Sequence, residues 1–242
     1  MAFALLPDLL PDLIRDAVHI WHRPLDLTES DLRRCESVLS AEEADRAGRY
    51  TFAKGRDHFV AARGMLRLLL SHYTQLRPED LVFAYGEKGK PELADGQADV
   101  CFNVSHASGF AAWAFARNRK IGVDIEWRHR RANISAIGKR FFSDVEWTAL
   151  CDLPEDRLRE GFFRCWTRKE AFVKALGDGL TYSLKAFDVS VGARAELLRV
   201  EGEHCPPHWT LGSLENLPAD YIGAVAFQGQ AAVLSRSLAL AS

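Results

Sequence analysis

Two carboxylates spaced two residues apart are the first candidates for chemistry in this sequence. Within residues 121–127, the alternation of a strand places the apolar side chains on one face and Gly122, Asp124 and Glu126 on the other. Two residues of strand advance about 6.6 Å, so both carboxylates can lean toward one divalent cation, and oxygen ligands suit Mg²⁺ or Mn²⁺. Gly122 would let another backbone or a ligand come close. A half-exposed strand with a solvated acidic face gives the same alternation, so both interpretations stay open.

A cluster of one acid and two ammonium groups follows in residues 162–176, where the apolar residues recur at a helical period. Lys169 falls within the apolar stripe, which is costly for an ammonium group unless a partner or an anion meets it. Glu170 and Lys174 lie at the border of the stripe and could form a simple i,i+4 salt bridge worth about 0.2–0.5 kcal/mol. Orientation of all three groups into a cleft would account for Lys169 as well.

Candidate anion contacts lie earlier in the chain. Ser105 and His106 can bind phosphate through a hydroxyl, an imidazole or backbone N–H groups, although a histidine after a strand is also common in turns and cores. Lys90 and Pro91 present a cation on a stiff turn. A basic segment is typical either of an anion site or of a solvated helix face. It holds six basic residues and one acid: Arg46, Arg49, Lys54, Arg56, Arg63 and Arg67, with Asp57.

The elements that must position these residues form a pattern that occurs twice. In the first half, a helix is predicted over 57–73, then a glycine- and proline-rich turn at 86–91, then two strands joined by a hairpin at 117–120: 110–116 and 121–127. In the second half, a helix over 161–176 precedes a glycine turn at Gly177 and Gly179. Three strands follow, the last two joined by a hairpin: 187–191, 221–227 and 231–234. This repeat predicts an α+β protein of two similar lobes, residues 1–119 and 120–242.

Length and composition exclude several classes of protein. The chain has 242 residues, enough for one large or two small domains, and its 31 basic and 33 acidic side chains give a net charge of −2. This balance argues against a general nucleic-acid or membrane-surface binder. The longest apolar stretch, 110–116, is far shorter than the roughly 20 residues that span a bilayer. Five scattered cysteines without a C-x-x-C pair indicate reduced thiols in a cytoplasmic protein.

The motifs that are missing narrow the chemistry further. The sequence contains no G-x-G-x-x-G, Walker loop, H-E-x-x-H or G-x-S-x-G, which disfavours dinucleotide enzymes, P-loop enzymes, zinc proteases and serine hydrolases. The acids, the ammonium groups and the basic segment together predict a small polyphosphate ligand and a hard metal ion in a water-poor cleft. A non-specific nucleic-acid site would need a longer basic surface with interleaved aromatic residues.

Four motifs in this order resemble the signature of a known family. They are Gly89-Lys90-Pro91, Phe102-Asn103-x-Ser105-His106, Ile121-Gly122-Val123-Asp124-Ile125-Glu126 and Trp166-Thr167-x-Lys169-Glu170-Ala171-x-x-Lys174. Between about Arg46 and Phe187 the chain is similar to 4′-phosphopantetheinyl transferases of the surfactin-synthetase (Sfp-like) type. The resemblance implies two α/β lobes related by a pseudo-twofold axis in one monomeric chain. It also implies transfer of the 4′-phosphopantetheine arm of coenzyme A to a serine of an apo carrier protein, with release of 3′,5′-ADP.

The resemblance further implies a role for each motif residue. Asp124, Glu126 and Glu170 would bind Mg²⁺ or Mn²⁺, with Glu170 as general base toward the serine. Lys174 and Lys169 would share the charge that develops on the pyrophosphate. The residues that would contact coenzyme A are Lys90, Pro91, Ser105, His106, Arg56 and Arg63. Arg46 or Arg49 could take the place of the last two arginines. Glu146 matches a further acidic position of the family and would have a supporting role.

An apo carrier protein is the partner that the resemblance implies, and it could be of the fatty-acid, polyketide or peptide-synthetase type. Such carriers are small, acidic and helical, so Arg128, Arg130 and Arg131 are candidate rim residues of a docking surface, and Phe141 and Phe142 are candidate apolar contacts. Two other functions remain open. One is a metal-dependent phosphohydrolase that uses the same acids on nucleotides. The other is a non-catalytic module that binds carrier proteins or coenzyme A.

Overall fold

The computed structural model describes residues 10–86, 89–177, 182–201 and 208–238, which form two lobes of the same design. Each lobe contains a strand, two short helices, a helix of 22 residues, a two-stranded ribbon and a hairpin, in that order. The first lobe comprises β1 (Ala17–Pro24), α1 (Glu29–Ser37), α2 (Ala41–Gly48), α3 (Ala53–Thr74), β2 (Phe83–Tyr85), β3 (Pro91–Leu93), β4 (Val100–Ala107) and β5 (Phe110–Arg117). The second comprises β6 (Ile121–Trp127), α4 (Ile134–Phe141), α5 (Asp144–Cys151), α6 (Glu155–Leu176), β7 (Phe187–Val189), β8 (Leu197–Val200), β9 (Trp209–Ser213) and β10 (Tyr221–Gln228), and β11 (Ala232–Ser237) follows it. The predicted α+β protein of two similar lobes is therefore confirmed.

The two long helices contain the two predicted helices, and both begin several residues before the predicted start. α6 has Glu155 and Asp156 in its first turn, where acidic groups interact favourably with the helix dipole. It ends at Gly177, whose φ of 87° is a left-handed conformation that glycine adopts at little cost. The second glycine predicted for this turn, Gly179, lies outside the described residues. The predicted strands correspond to β5, β6, β7, β10 and β11.

Both predicted hairpins are wrong, because the chain changes sheets at each of them. β5 lies between β1 and β4 in the first sheet, so neither of its edges is free for β6. β6 instead pairs antiparallel with β10 in the second sheet. β10 in turn lies between β6 and β9, and β11 returns to the first sheet, where it runs parallel to β1. The hairpins at these places are β4–β5 and β9–β10.

The two sheets pack face to face, and a long helix covers the outer face of each. α3 packs on the first sheet through a cluster that includes Trp113 and Phe115, and α6 packs on the second through a cluster that includes Ala224 and Ala226. Alternate residues of four strands form the core between the sheets: Val18, Ile20, Ala112, Ala114, Val123, Ile125, Val225 and Phe227. The other face of β6 is therefore turned toward α6, as the predicted alternation requires.

Gly122 is the point at which α6 lies directly on β6. A Cβ atom on this residue would lie 2.1 Å from the carbonyl oxygen of Ala171 and 2.4 Å from the backbone nitrogen of Ala175. Both are backbone atoms of the helix, and they cannot move aside as the end of a flexible side chain can. The prediction that Gly122 permits close approach of another backbone is confirmed, and only a glycine allows this distance between helix and strand.

We expect Gly122→Ala to lower the free energy of unfolding by about 1–3 kcal/mol, because α6 must shift away from β6 to admit the methyl group. Urea unfolding would measure the change. Gly212→Ala is a matched control in β9 of the same sheet, since its added Cβ would meet no atom closer than Val225 Cγ1 at 3.6 Å. Equal unfolding midpoints for the two variants would contradict the contact described here.

Candidate active site

Asp124 lies at the centre of a small polar network between the two lobes. Its side chain is 5% exposed, and Oδ1 accepts hydrogen bonds from Lys174 Nζ at 2.7 Å and from Ser105 Oγ at 2.9 Å. Lys174 Nζ also donates to Ser105 Oγ at 3.1 Å. β4, β6 and α6 each contribute one of these three residues, so the network depends on the contact of α6 with β6.

Glu126 and Glu170 flank this network as two further half-buried or buried carboxyl groups. Burial raises the pKa of both groups, and the negative charge of Asp124 raises each of them further. Asp124, Glu126 and Lys174 line one cleft, and Glu170 lies near enough to Asp124 for the charge of Asp124 to act on its carboxyl group. Glu126 is 9% exposed, so the interpretation of β6 as a strand with a solvated acidic face is wrong. Arg130 Nη2 lies 3.3 Å from Glu126 Oε1 and offsets part of the charge.

The donor set of this cleft fits a hard divalent cation. Asp124 Oδ2 and Glu170 Oε1 are both buried and have no hydrogen-bond partner, which is costly for carboxylate oxygens unless a cation or water meets them. Oxygen-only donors favour Mg²⁺ or Mn²⁺ over softer metals. Within the described ranges, no three His, Cys, Asp or Glu side chains already stand in a metal-binding arrangement. The fit therefore depends on the chemistry of the donors and on their unpaired oxygens.

A cavity of about 710 Å³ opens beside the acidic cleft, a volume typical of a site for a small ligand. None of the described residues that line this cavity is acidic. Its basic side chains all come from the first lobe and are Arg46, Lys54, His58, Arg63 and His106. Pro91 and Tyr50 supply part of the apolar wall. The composition of this lining is that of a site for an anion with a flat or apolar portion.

His106 joins the cavity to the acidic cleft. It lines the large cavity together with Arg63, and it also lines a cleft of about 390 Å³ that contains Asp124, Glu126 and Lys174. Partial burial lowers the pKa of His106, and the positive charges of Lys174 and His58 lower it further. A ligand can thus extend from the basic cavity past a hydrogen-bonding imidazole to the carboxylates.

His58 is a cavity residue that sequence reasoning did not identify. Its Nε2 lies within hydrogen-bond distance of Asp26 Oδ1, at 2.9 Å, and His58 lines the cavity. Lys54, in the same wall, lies 3.7 Å from the same carboxylate oxygen. The basic segment was a signal for this region, but the contact with Asp26 joins positions 32 residues apart and has no signature in the sequence.

The structure places the two arginines assigned to coenzyme A differently. Arg63 lines the cavity, whereas Arg56 is not among the lining residues and its guanidinium bonds Glu36 and Asp57. Arg63 is also paired, with Glu43 Oε1 3.6 Å from its Nη1, so the assignment of both arginines to the ligand stays a prediction. Arg46, which sequence analysis named as a substitute, lines the cavity, and Arg49 lines a shallower neighbouring cleft.

Lys169 is not part of the cleft, contrary to the expectation that it faces the pyrophosphate. It is fully buried, and its Nζ lies 2.7 Å from Glu146 Oε1 and donates to the carbonyl oxygens of Leu184 and Phe187 at 2.6 Å. Glu146 is therefore the partner that the apolar surroundings of Lys169 require, which agrees with its predicted supporting role. The i,i+4 pairing of Glu170 with Lys174 is also not formed, because Lys174 bonds Asp124 instead.

The first lobe repeats this buried ion pair. Arg67 Nε lies 2.6 Å from Glu43 Oε2, and Arg67 follows the first residue of α3 by 67 − 53 = 14 positions, just as Lys169 follows that of α6 by 169 − 155 = 14. Both glutamates are the third residue of a helix and complete a capping box, with Ser40 in one lobe and Ser143 in the other. A pair that occurs in both lobes serves the fold of each lobe.

Lys90 and Pro91 lie next to each other in the sequence but make different contacts. Lys90 Nζ donates to the carbonyl oxygens of Ile121 at 3.1 Å and Lys174 at 2.8 Å, so its ammonium group is bound to backbone and does not line the large cavity. Pro91 lines that cavity. Ser105 contacts Asp124 and Lys174 and is positioned beside the carboxylates.

Two families of known proteins match the chain. The family described as "4'-phosphopantetheinyl transferase superfamily" matches residues 120–226, and the one described as "4'-phosphopantetheinyl transferase, N-terminal" matches residues 25–118. The 4′-phosphopantetheinyl transferase HetI of Nostoc sp. is 36% identical over 220 residues, which cover 90% of each chain. The 4′-phosphopantetheinyl transferase Sfp of Bacillus subtilis is 31% identical over 186 residues, which cover 76% of this chain and 80% of the relative.

We expect Lys169→Met to lower the free energy of unfolding by about 3–5 kcal/mol, because it leaves the buried carboxylate of Glu146 without its cation. The double variant Lys169→Met/Glu146→Gln should regain part of this loss, and urea unfolding would measure both. Lys139→Met, at an exposed lysine of α4, is the matched control. A Lys169→Met protein that keeps wild-type stability would overturn the structural role of this pair.

Proposed function

This chain belongs to the 4′-phosphopantetheinyl transferase superfamily and is a phosphopantetheinyl transferase. We propose that it uses coenzyme A, with Mg²⁺ or Mn²⁺, to modify a serine of an apo carrier protein, and that it releases 3′,5′-ADP. The observation that carries this proposal is the continuity between the basic cavity and the acidic cleft at His106. Coenzyme A is an anion with a flat base at one end and a pyrophosphate further along. Its nucleotide suits the cavity, and its pyrophosphate then reaches Lys174 and the carboxylates.

We assign the binding of the cation to Asp124, Glu126 and Glu170. When bound there, Mg²⁺ would supply Lewis-acid stabilisation of charge on the pyrophosphate. Lys174 is the ammonium group nearest to these carboxylates and is 30% exposed, so it can donate to a phosphate oxygen from the same side. Together these residues would bind the pyrophosphate in a fixed orientation before the carrier serine arrives.

Glu170 is our candidate for the general base. Its Oε1 is buried and has no hydrogen-bond partner, so it can accept the proton of a hydroxyl group that arrives there. In the proposed step, the serine oxygen forms a bond to the phosphorus of the pantetheine phosphate, Glu170 takes the hydroxyl proton, and the bond to the bridging oxygen of 3′,5′-ADP breaks. Lys174 would stabilise the charge on the departing phosphate.

The candidate docking surface for the carrier is smaller than the sequence predicts. Phe142 is 1% exposed and cannot contact a partner, and Arg130 already pairs with Glu126. Arg131 is exposed and lines an open cleft of about 610 Å³ close to the acidic cleft, with His129 and Arg159. We propose that this basic cleft meets the acidic carrier, which would bring its serine toward Glu170.

The two lobes supply different parts of one site, which supports a monomer as the active form. The cavity residues come from the first lobe, and the carboxylates and Lys174 come from the second. We propose a boundary between residues 119 and 120, directly before β6 begins. We also propose a cytoplasmic location, where coenzyme A and carriers are available. In the described part of the chain, no helix combines the length and hydropathy required to cross a membrane.

Incubation of the protein with coenzyme A, Mg²⁺ and an apo carrier should raise the mass of the carrier by one phosphopantetheine arm, as measured by intact-protein mass spectrometry. Asp124→Ala should abolish the transfer and retain the circular dichroism spectrum, since Asp124 contributes to the cation site. Asp95→Ala removes an exposed acid in a turn and is the matched control.

Three other outcomes of this assay would contradict the proposal. Release of phosphopantetheine from coenzyme A without any carrier would identify a phosphohydrolase. Binding of coenzyme A without turnover would identify a binding module. Wild-type activity of Asp124→Ala would remove the cation assignment. Assays with one acyl carrier and one peptidyl carrier would decide which type is preferred.

We expect Arg46→Ala and Arg63→Ala to raise the KM for coenzyme A about tenfold or more, because a hydrogen bond to a charged group contributes about 1.5–3 kcal/mol. The preference for coenzyme A over 3′-dephospho-coenzyme A should narrow by the same factor if these arginines bind the 3′-phosphate. Arg56→Ala should change neither value, because Arg56 is not among the cavity-lining residues and its guanidinium bonds Glu36 and Asp57. If Arg56→Ala loses the preference for coenzyme A over 3′-dephospho-coenzyme A while the other two variants keep it, the 3′-phosphate contact belongs to Arg56 and the assignment is reversed.

A further inference from the structure

Lys90 forms a direct link from the first lobe to the two elements that carry the reaction. Its ammonium group bonds the carbonyl oxygen of Ile121, the first residue of β6, and the carbonyl oxygen of Lys174, in the last turn of α6. β6 carries Asp124, and α6 carries Glu170. One side chain from the first lobe therefore holds both sides of the acidic cleft by their backbones.

The carbonyl group that Lys90 binds belongs to a residue of the site itself. Lys174 donates from its own Nζ to Asp124 Oδ1 at 2.7 Å, and its carbonyl oxygen accepts from Lys90 Nζ at 2.8 Å. The carbonyl oxygens of the last helical turn need partners from outside the helix, and a cation there also interacts favourably with the helix dipole. The ammonium group of Lys90 meets both requirements at the backbone of Lys174, the residue whose side chain bonds Asp124.

Backbone hydrogen bonds link Lys90 and Gly89 to Gly86. The backbone N–H of Gly86 donates to the carbonyl oxygen of Lys90 at 3.1 Å, and the N–H of Gly89 donates to the carbonyl oxygen of Gly86 at 2.8 Å. Gly89 has a φ of 77°, which requires glycine, and Pro91 begins β3 opposite Tyr85. These bonds orient the Lys90 side chain toward the end of α6.

We propose that Lys90 is a positioning residue, whose ammonium group sets the placement of α6 against β6 and so aligns Lys174 and Glu170 with Asp124, without contact to coenzyme A. This inference rests on the proposed function, since it concerns the rate of that transfer. It differs from the role implied for Lys90 by the family resemblance, which is a contact with the nucleotide.

Lys120 offers an internal comparison, since it meets the same helix end but not the same residue. Its Nζ lies 3.4 Å from the carbonyl oxygen of Leu176, a long contact, and among the described residues it makes no hydrogen bond to β6. Both lysines line a cavity of about 270 Å³, whose lining does not include Asp124, Glu126 or Glu170. A general effect of positive charge near the end of α6 would thus be shared by both residues, whereas the alignment of Lys174 would depend on Lys90.

The test compares Lys90→Met, Lys90→Arg and Lys120→Met in the full-length protein. For Lys90→Met we expect kcat to fall about tenfold or more, because a small misplacement of reacting groups is costly, while the KM for coenzyme A changes less than about twofold. Lys90→Arg restores donors and charge and should regain most of kcat. Lys120→Met should retain wild-type kcat. Titration calorimetry with coenzyme A should give the same Kd for Lys90→Met and the wild type.

Hydrogen exchange gives a second readout that does not depend on turnover. Amides at the start of β6 and in the last turn of α6 should exchange faster in Lys90→Met, with little change in the first lobe. Two results would overturn the proposal: an unchanged kcat, or a tenfold weaker Kd for coenzyme A with kcat retained, which would show a contact with the nucleotide. An inactive wild-type protein would refute the proposed function, and the exchange data would then still decide whether Lys90 anchors α6.

Discussion

The direct contact of α6 with β6 at Gly122 is the constraint on which the rest of the active site depends. A side chain at this position would separate helix and strand, since even a methyl group would lie 2.1 Å from the carbonyl oxygen of Ala171. Because the two backbones meet there, residues two positions further along the strand and one turn along the helix come within hydrogen-bond distance, as Asp124 and Lys174 do at 2.7 Å. Burial in the same seam leaves carboxylate oxygens without partners and raises the pKa of Glu170. Close packing of backbone thus produces the charged, water-poor cleft that phosphate chemistry needs.

The equivalent strand and helix of the first lobe, β1 and α3, meet through side chains and without the same chemistry. There β1 directs His19 and Trp21 toward α3, where both bond the hydroxyl of Tyr73, at 3.0 Å and 2.6 Å. Burial lowers the pKa of His19 to about 4, so this seam is uncharged at neutral pH and is filled by aromatic rings. The two lobes therefore share a scaffold, including its buried ion pairs, and differ in what fills the seam. One lobe forms a closed core at this place, and the other leaves a polar cleft.

Sequence reasoning predicted best where a local period determines the outcome. Strand alternation placed Asp124 and Glu126 on one face, and the helical period placed Glu170 and Lys174 one turn apart, because both depend only on backbone geometry. It failed where a partner distant in the sequence decides. Lys169 was assigned to the cleft because its buried partner, Glu146, cannot be recognised from periodicity. The hairpins failed for a related reason, since the choice of sheet depends on which strand edges other segments already occupy.

The division of the site between two lobes makes their relative placement a catalytic requirement. A ligand bound by cations of the first lobe reaches the carboxylates of the second only if the lobes hold one fixed separation. Side chains of β4 supply this connection: Asn103 Oδ1 accepts from the backbone N–H of Val123 at 2.9 Å, and Ser105 Oγ accepts from that of Ile125 at 3.3 Å. These two hydrogen bonds take the place of a backbone ladder, because β4 and β6 are not paired in one sheet. Ser105 Oγ also donates to Asp124 Oδ1. The motif that carries them therefore joins the two sheets in register while its next residue, His106, faces the ligand cavity.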